Sequence, residues 1–286
     1  MAKISYLELY KEGAEALNKA GIADYEIDAR LLIEHVSGKD RNALYAHGEE
    51  EVDAGLVDKY REFINRRCSR IPLQHIMGST GFMGLDFAVN EHVLIPRWDT
   101  ECLVEEALIH TMDGDKVLDM CTGSGCILLS IMHYKNEING VGADISEEAL
   151  KVAKMNADRL LKTSDEKPRF VRGDLYDALS DEDRGSFDII VSNPPYIRPE
   201  VIKTLEPEVR DYEPMTALYG GEDGLLFYRR ITEHAKDYLK KGGFLLYEIG
   251  YDQAEQVTDI MEQNGFMDVK VIKDLAGLDR VVSGYL

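Results

Sequence analysis

Residues 187–196 read Phe-Asp-Ile-Ile-Val-Ser-Asn-Pro-Pro-Tyr, an apolar run that passes directly into a proline-rich turn. A short apolar run bounded by a turn is typical of a buried strand, so the Asn-Pro-Pro-Tyr turn is expected at the carboxyl end of that strand. In open α/β sheets, ligands bind at this edge. The stretch therefore predicts a binding site beside residues 193–196.

This turn is rich in hydrogen-bond acceptors. Pro194 and Pro195 fix their own φ angles and remove two backbone donors, while Asn193 contributes an amide, Pro194 a carbonyl and Tyr196 a flat ring. Such a turn suits a planar NH2 group, with one hydrogen donated to the Asn193 side chain and the other to the Pro194 carbonyl. The four residues resemble the motif of the amino-group methyltransferases. The alternative is that they only end a strand, because Asn and Pro are common in turns.

The second part of the chain alternates between strand and helix patterns from Pro96 onward. This order predicts a parallel, doubly wound sheet. The predicted strands are residues 116–120, 140–143, 169–171, 187–192, 243–249, 267–272 and 280–285. A long connection runs from Ile197 to about Asp223, and long ordered loops are usually functional. We therefore expect this connection to shape the substrate pocket.

The first part of the chain has helical periodicity. One helix is expected to end at Gly21, a second to run from an Asp24 cap to Gly38, and a third to span about residues 51–70. The glycine-punctuated stretch that follows predicts a β-hairpin. The expected division is a helical substrate-docking domain at 1–78, a hairpin linker at 79–95 and a catalytic domain at 96–286.

The composition limits the classes of function. A chain of 286 residues with 44% apolar and 30% charged residues is typical of a soluble globular protein. No signal peptide or membrane span is recognisable, so we expect a cytoplasmic protein without membrane contact. The net charge of −20 argues against direct binding of nucleic acid and favours a basic protein partner. Neither the cysteine nor the histidine spacing predicts a disulfide or a metal site.

Residues 117–125 read Val-Leu-Asp-Met-Cys-Thr-Gly-Ser-Gly, which predicts a strand, a glycine turn and a helix that begins near Cys126. Glycines let the backbone approach a ligand at a helix N-terminus. Leu128 stands where the dinucleotide fingerprint requires a third glycine, so that fingerprint is incomplete. Asp144 ends the next strand and can accept from ribose hydroxyls. The pattern predicts a nucleoside site without a pyrophosphate.

Two further aspartates belong to this predicted site. Asp174 follows the third strand and is expected to meet an adenine amino group, and Asp119 is expected to fix the glycine turn. The alternatives are that Asp144 is an ordinary helix N-cap and that Asp174 is a plain loop residue. Together with Asn193, these strand ends resemble the S-adenosylmethionine site of a class I methyltransferase.

A more specific resemblance covers nearly the whole chain. It is carried by segments 28–32 (Asp-Ala-Arg-Leu-Leu), 71–78 (Ile-Pro-Leu-Gln-His-Ile-Met-Gly), 82–85 (Phe-Met-Gly-Leu), 93–101 (Val-Leu-Ile-Pro-Arg-Trp-Asp-Thr-Glu) and 212–214 (Tyr-Glu-Pro). These segments resemble the peptide chain release factor glutamine N5-methyltransferases, the HemK/PrmC family. The chain departs from the family at Cys121, where such methyltransferases usually carry glycine, and at Trp98, where Pro is usual. Asp99, next to Trp98, stands where the family usually has Glu or Asp.

The resemblance implies a class I, Rossmann-like methyltransferase sheet with a small helical N-terminal domain joined by a β-hairpin. It implies methyl transfer from S-adenosylmethionine to the glutamine of the Gly-Gly-Gln motif in class 1 peptide chain release factors. The expected cofactor-binding residues are Cys121, Thr122, Gly123, Ser124, Gly125, Asp144, Asp174, Leu175 and Asn193. The expected substrate-binding residues are Asn193, Pro194, Pro195 and Tyr196, with Asn193, Pro194 and Tyr196 catalytic and no metal.

Three alternatives remain open at this point. A ribosomal-protein glutamine methyltransferase differs from the expected enzyme only in its substrate. An adenine N6-methyltransferase would use the same turn, but it should also show a basic groove and a target-recognition segment. An inactive methyltransferase fold could serve as a binding module, although the intact Asn193 turn and Asp144 argue against it.

Overall fold

The computed structural model describes residues 4–161 and 167–286. These residues fall into two compact units, one made of residues 4–78 and 206–212 and the other of residues 79–161, 167–205 and 213–286. Among the described residues, no helix is long and apolar enough to cross a membrane.

The helices in the described part of the chain are α1 (Tyr6–Lys19), α2 (Tyr25–Ser37), α3 (Arg41–Ala46), α4 (Ala54–Cys68), α5 (Leu73–Met77), α6 (Glu101–His110), α7 (Cys126–Tyr134), α8 (Glu147–Leu160), α9 (Pro199–Ile202), α10 (Pro207–Tyr212), α11 (Met215–Leu218), α12 (Leu226–Tyr238) and α13 (Ala254–Gln263). The strands are β1 (Ser79–Phe82), β2 (Leu85–Ala88), β3 (Lys116–Met120), β4 (Asn139–Asp144), β5 (Arg169–Arg172), β6 (Phe187–Ser192), β7 (Leu239–Glu248), β8 (Met267–Lys273) and β9 (Asp279–Tyr285). Within residues 4–161 and 167–286, short 3-10 helices lie at Trp98–Thr100, Leu175–Ala178 and Asp181–Asp183.

The helical unit contains α1 to α5 and α10. Helix α1 begins with a capping box, in which the Ser5 side chain accepts from the Glu8 N–H and the Glu8 carboxylate accepts from the Ser5 N–H. Helix α2 ends at Gly38, whose φ of +69° forms a left-handed cap. Helix α4 begins at Ala54 rather than near 51, because Asp53 caps it through the N–H of Gly55.

A buried ion-pair cluster holds residues 206–212 in this unit. Arg67 Nε lies 2.7 Å from Asp28 Oδ2, and its Nη1 lies 2.9 Å from Glu208 Oε1. Arg70 Nη2 is also 2.8 Å from Glu208. The Tyr212 hydroxyl donates to the Ser69 carbonyl at 2.6 Å. A part of the long connection after the Asn-Pro-Pro-Tyr turn is therefore built into the helical unit.

The other unit contains a seven-stranded sheet in the order β5-β4-β3-β6-β7-β9-β8. The first five strands are parallel, whereas β9 is antiparallel to β7 and β8 is antiparallel to β9. The expectation of a fully parallel sheet was therefore wrong for β8 and β9. Residues 274–278 form too short a connection for a parallel crossover, so these two strands form a hairpin.

The sheet is buried on both faces by helices and carries the core of the unit. One cluster includes Tyr176, Tyr228 and Tyr247, and a second includes Leu103, Leu128 and Val191. Strands β3 and β6 occupy the residues predicted from their apolar runs. The predicted hairpin is confirmed for β1 and β2, which pair antiparallel around Met83 and Gly84. Both turn residues have positive φ, as a two-residue type I′ connection requires.

Candidate active site

A cavity of about 360 Å³ opens at the carboxyl edge of the parallel strands. The end of β3, the end of β4, the segment after β5 and the turn after β6 all contribute to its wall. The cavity-lining residues that had been predicted from the sequence are Cys121, Thr122, Gly123, Ser124, Asp144, Asp174, Leu175, Asn193 and Pro195. Gly125, Pro194 and Tyr196 do not belong to the lining. The structure therefore brings most of the predicted residues together around one space.

The glycine turn after β3 has an unusual backbone. Cys121, Gly123 and Gly125 have φ values of +64°, +54° and +80°. A Cβ on Gly125 would lie 3.1 Å from Leu129 Cδ1 and 3.3 Å from the Ala153 side chain, so glycine is required there for close packing as well as for its φ. Cys121 adopts the left-handed conformation that disfavours a side chain. This geometry explains why glycine is the usual residue at that position.

Asp119 holds the glycine turn from below, as the sequence indicated. Its Oδ2 accepts from the Thr122 hydroxyl at 2.6 Å and from the Leu128 N–H at 3.4 Å. The residue is fully buried, and burial raises the pKa of its carboxyl group to about 7. The hydrogen bonds from Thr122 and Leu128 oppose this rise because they favour the charged form.

Asp144 stands at the end of β4 with its carboxylate beside the glycine turn. Its Oδ2 accepts from the Gly123 N–H and its Oδ1 from the Ser146 N–H, both at 2.9 Å. Burial raises the pKa of this carboxyl group, while the backbone donors oppose the rise. The N-cap of α8 is Ser146, which accepts from Ala149, so the reading of Asp144 as an ordinary N-cap is wrong. Each carboxylate oxygen keeps acceptor capacity toward the cavity.

Asp174 has a partner that the sequence did not reveal. Arg230, on α12, forms two parallel hydrogen bonds to it, at 3.1 and 2.8 Å. Arg230 also lines the cavity. The ion pair fixes the Asp174 carboxylate and balances its charge. The next residue, Leu175, has φ +54° and is buried, so this loop bends sharply at the cavity wall.

The Asn-Pro-Pro-Tyr turn is held by residues from other segments. Asn193 Nδ2 donates to Thr100 Oγ1 at 3.3 Å, and the Tyr196 hydroxyl donates to Glu248 Oε1 at 3.3 Å. Gln253 Nε2 donates to the Tyr196 carbonyl at 3.2 Å. Tyr196 packs against the core, and burial raises the pKa of its hydroxyl. Sequence reasoning had identified the turn but neither Thr100 nor Glu248.

The long connection forms another side of the cavity. Its cavity-lining residues are Pro214, Met215, Thr216, Ala217 and Tyr219. Arg97, also in the lining, lies 2.6 Å from Glu213, whose side chain is almost completely buried. This ion pair ties the segment before α6 to the start of the closing segment.

Comparisons with known proteins agree with this geometry. Residues 8–78 match the PrmC N-terminal domain family, and residues 99–205 match the methyltransferase small domain family. A release factor glutamine methyltransferase of Clostridium acetobutylicum is 45% identical over 261 residues, which cover 90% of each chain. One of Clostridium botulinum is 41% identical, covering 96% of this chain and 97% of the relative.

The chain belongs to the release factor glutamine methyltransferase family. It is therefore an enzyme of the methyltransferase class. The crystal structure of a methyltransferase from Pyrococcus furiosus superposes with a TM-score of 0.52 at 18% identity, covering 80% of this chain and 97% of that one. This likeness shows a shared methyltransferase fold.

Proposed function

We propose that this protein transfers a methyl group from S-adenosylmethionine to the side-chain amide nitrogen, N5, of the glutamine in the Gly-Gly-Gln motif of class 1 peptide chain release factors. One observation carries the proposal. The amide of Asn193 lines the same cavity as the glycine turn and Asp144, so an amide-recognising group and a nucleoside-binding wall face one space. The names of the relatives support the choice of substrate.

The cavity residues fit a nucleoside cofactor. A Cβ built on Gly123 would meet no atom within 4 Å, so the glycine turn leaves open space where a ligand can lie against the backbone. Asp144 supplies carboxylate oxygens for ribose hydroxyls. Ile145, Leu175 and Phe227 add an apolar wall suited to a purine ring. We assign residues 121–125, Asp144, Asp174, Leu175 and Asn193 to cofactor binding, and S-adenosylmethionine when bound supplies an electrophilic methyl group.

The substrate amide requires positioning more than activation. An amide nitrogen is a poor nucleophile because its lone pair is delocalised, so the enzyme gains most from alignment and from stabilising the positive charge that develops on nitrogen. The Asn193 side-chain oxygen is the acceptor on the cavity wall for one hydrogen of the substrate NH2 group. We assign the other hydrogen to the Pro194 carbonyl, which lies next to Asn193 but outside the cavity lining. Pro195 and Tyr196 complete the turn that holds them.

Methyl transfer to the amide nitrogen does not require a cysteine thiolate as a general base. Burial raises the pKa of the Cys126 thiol to about 12, and it raises the pKa of the Cys121 thiol as well. Both cavity thiols are therefore neutral at physiological pH. The proton that the amide loses after methylation can pass to solvent, because no base is required before the nitrogen attacks.

The charge of the chain favours a protein substrate over DNA. Binding of a nucleic acid depends largely on neutralising phosphates with Lys and Arg, and this chain carries 53 acidic against 33 basic residues. The ribosomal-protein alternative has the same chemistry, so only a substrate comparison separates it.

Peptide mass spectrometry tests this proposal. The full-length protein is incubated with S-adenosylmethionine and, separately, a class 1 release factor, a mixture of ribosomal proteins and an adenine-containing DNA duplex. We expect one added methyl on the Gly-Gly-Gln peptide and none on the other substrates. Faster methylation of a ribosomal protein or of the duplex would refute the release-factor assignment.

A further inference from the structure

A buried carboxyl group lies beneath the Asn-Pro-Pro-Tyr turn and outside the cavity lining. Glu248, the last residue of β7, is 2% exposed. Its Oε1 accepts from the Tyr196 hydroxyl, and its backbone carbonyl accepts from the Tyr228 hydroxyl at 2.9 Å. Its Oε2 is buried, and no described residue forms a hydrogen bond with it. Glu248 is not among the residues assigned to cofactor or substrate binding.

Thr100 connects Glu248 to the cavity. This residue is 2% exposed, and it lines the cavity beside Asn193. Its Oγ1 accepts from Asn193 Nδ2, and its hydroxyl lies close enough to the Glu248 carboxyl group to lower the pKa of that group. A hydroxyl carries a single proton and can rotate to suit its neighbours. While Oγ1 accepts a hydrogen bond from Asn193, the Thr100 hydroxyl can donate one to the Glu248 carboxylate.

This chain of contacts decides which way the Asn193 amide faces. The oxygen and nitrogen of a carboxamide are nearly equal in shape, so the hydrogen-bond network sets its orientation. An ionised Glu248 can only accept, which makes Thr100 its donor and leaves the Thr100 oxygen as an acceptor for the Asn193 NH2 group. The Asn193 oxygen is then free for a substrate NH2 group.

We propose that Glu248 is a positioning residue that acts through Thr100 to hold the Asn193 amide with its oxygen toward the substrate. This inference rests on the proposed function, because it gives that oxygen the task of accepting from the glutamine amide. The Tyr196 hydroxyl donates to Oε1 of Glu248. This hydrogen bond, from the last residue of the Asn-Pro-Pro-Tyr turn, fixes the plane of the Glu248 carboxyl group.

Protonation of Glu248 would reverse the direction of both hydrogen bonds, from Glu248 to Thr100 and from Thr100 to Asn193. A protonated carboxyl group can donate to Thr100, which can then donate to the Asn193 oxygen and turn the NH2 group toward the substrate. Burial raises the pKa of Glu248 to about 7, with Asp99 adding to the rise and Thr100, Arg280 and Tyr196 opposing it.

The surroundings of Glu248 contain several other charged or titratable groups. Arg280 divides its charge between Asp274 and Asp99, at 3.0 and 3.2 Å. Tyr228 and Cys126 face Glu248 from α12 and α7, and burial keeps both neutral. Because the ionised form is the productive one, methylation should weaken as the pH falls through about 7.

The first test is the pH profile of Glu248→Gln in the full-length protein with a release factor as substrate. A glutamine side chain can donate to Thr100 at every pH and so imitates the protonated state. We expect kcat to fall about tenfold or more above pH 8, with little change in KM, and the acidic limb of the wild-type profile to disappear. Cofactor affinity, measured by calorimetry, should change by less than about twofold, because Glu248 does not line the cavity.

Matched hydroxyl variants show whether Thr100 transmits the effect. Thr100→Val should lower kcat as Glu248→Gln does, and the double variant should be no slower than either single one. Thr100→Ser keeps the hydroxyl and should recover most of the rate. Thr258→Val is the control, since the Thr258 hydroxyl on α13 is buried like that of Thr100 but, unlike it, has no hydrogen-bond partner among the described residues. This variant should leave activity unchanged.

A spectroscopic measurement tests the inference independently of methyl transfer. The side-chain NH2 resonances of Asn193, assigned by their loss in Asn193→Asp, should titrate with a midpoint near pH 7 in the wild type and stay constant in Glu248→Gln. If the resonances titrate alike in both proteins, or if the variant keeps the acidic limb, another group such as Asp119 is responsible and the inference is wrong. A wild type that does not methylate a release factor would refute the proposed function instead, and the resonances would still decide this inference.

Discussion

At the scale of single residues, Asn193 has two tasks that only a carboxamide performs together. Its NH2 group donates to Thr100 at 3.3 Å, and its oxygen is available to the substrate. The second NH2 hydrogen can donate to the substrate carbonyl. A glutamine side chain is therefore matched on both its donor and its acceptor atoms.

The variant Asn193→Asp separates these tasks, since it is nearly isosteric. An aspartate keeps an acceptor but loses the donor, so the substrate carbonyl and Thr100 Oγ1 both face a negative charge. A buried unpaired partner costs about 1–3 kcal/mol, more when charge is involved. We expect kcat/KM to fall about a hundredfold, while the glycine turn and Asp144 still bind the cofactor. Near wild-type methylation by the folded variant would exclude Asn193 from amide recognition.

Cys121 is a second residue whose conformation predicts a measurable effect. At φ +64°, a side chain is disfavoured by about 1–2 kcal/mol, and the extra chain entropy of glycine offsets part of this. The variants Cys121→Gly and Cys121→Ala both lack the thiol, so the difference between their stabilities reports only the effect of the Cβ. Urea denaturation should show the glycine variant to be the more stable by about 0.5–1 kcal/mol. A more stable alanine variant would contradict the left-handed geometry of the turn.

At the scale of elements, the site is made by the ends of β3, β4 and β6 together with the glycine turn that Asp119 braces. The turn is stable because one buried carboxylate satisfies both the Thr122 hydroxyl and the Leu128 N–H. The same burial makes this element sensitive to pH. Its native pKa, about 7, lies far above the usual value of 3.8 for an aspartate carboxyl group.

The sign of this pH dependence follows from proton linkage. Between about pH 4 and pH 7 the native state holds a proton on Asp119 that the unfolded state has lost, so this group's stabilising contribution decreases as the pH rises through about 7. We expect the free energy of unfolding of the wild type, relative to Asp119→Asn, to decrease across this interval. Chemical denaturation at a series of pH values measures the difference. A constant difference would mean that Asp119 does not titrate there.

Much of this architecture was predictable from local sequence. The bounds of β3 and β6 follow from short apolar runs that end at a glycine turn and at Asn193. Helices α3 and α5 were missed because they are too short to show helical periodicity. The antiparallel pairing of β8 and β9 follows from the short connection at residues 274–278, which breaks the alternation of strand and helix that precedes it.

Contacts between residues that are far apart in the sequence could not be predicted from local sequence patterns. Arg230 is separated from Asp174 by 56 positions, and nothing in the helical pattern of α12 marks it as a cavity residue. Glu248 lies near the Asn193 turn because β6 and β7 are neighbours in the sheet. Thr100 contacts Asn193 from the 3-10 helix before α6, 93 positions earlier in the chain. The sequence indicates which residue types can do the chemistry, but the tertiary fold decides which partners orient them.

At the scale of the whole molecule, the predicted cofactor residues all belong to the sheet-containing unit. The helical unit consists of α1 to α5 and the segment 206–212. We therefore propose that the helical unit contributes to docking the release factor and not to methyl transfer. None of its described residues, 4–78 and 206–212, is among the cavity-lining residues.

Removal of residues 1–78 tests this division of labour. Cofactor affinity should be largely retained, while methylation of a whole release factor should fall far more than methylation of a short Gly-Gly-Gln peptide. The comparison requires a truncated protein that remains folded, as monitored by circular dichroism, because Glu206 and Glu208 lose their arginine partners. Equal losses on both substrates would contradict a docking role.

The most direct test of the account is a crystal structure of the protein with S-adenosylhomocysteine and a release factor. We predict that the ribose hydroxyls lie within about 3.2 Å of Asp144 and that the glutamine NH2 group donates to Asn193 Oδ1 and the Pro194 carbonyl at similar distances. A nucleoside bound outside the cavity, or a glutamine side chain that does not reach Asn193, would contradict the account.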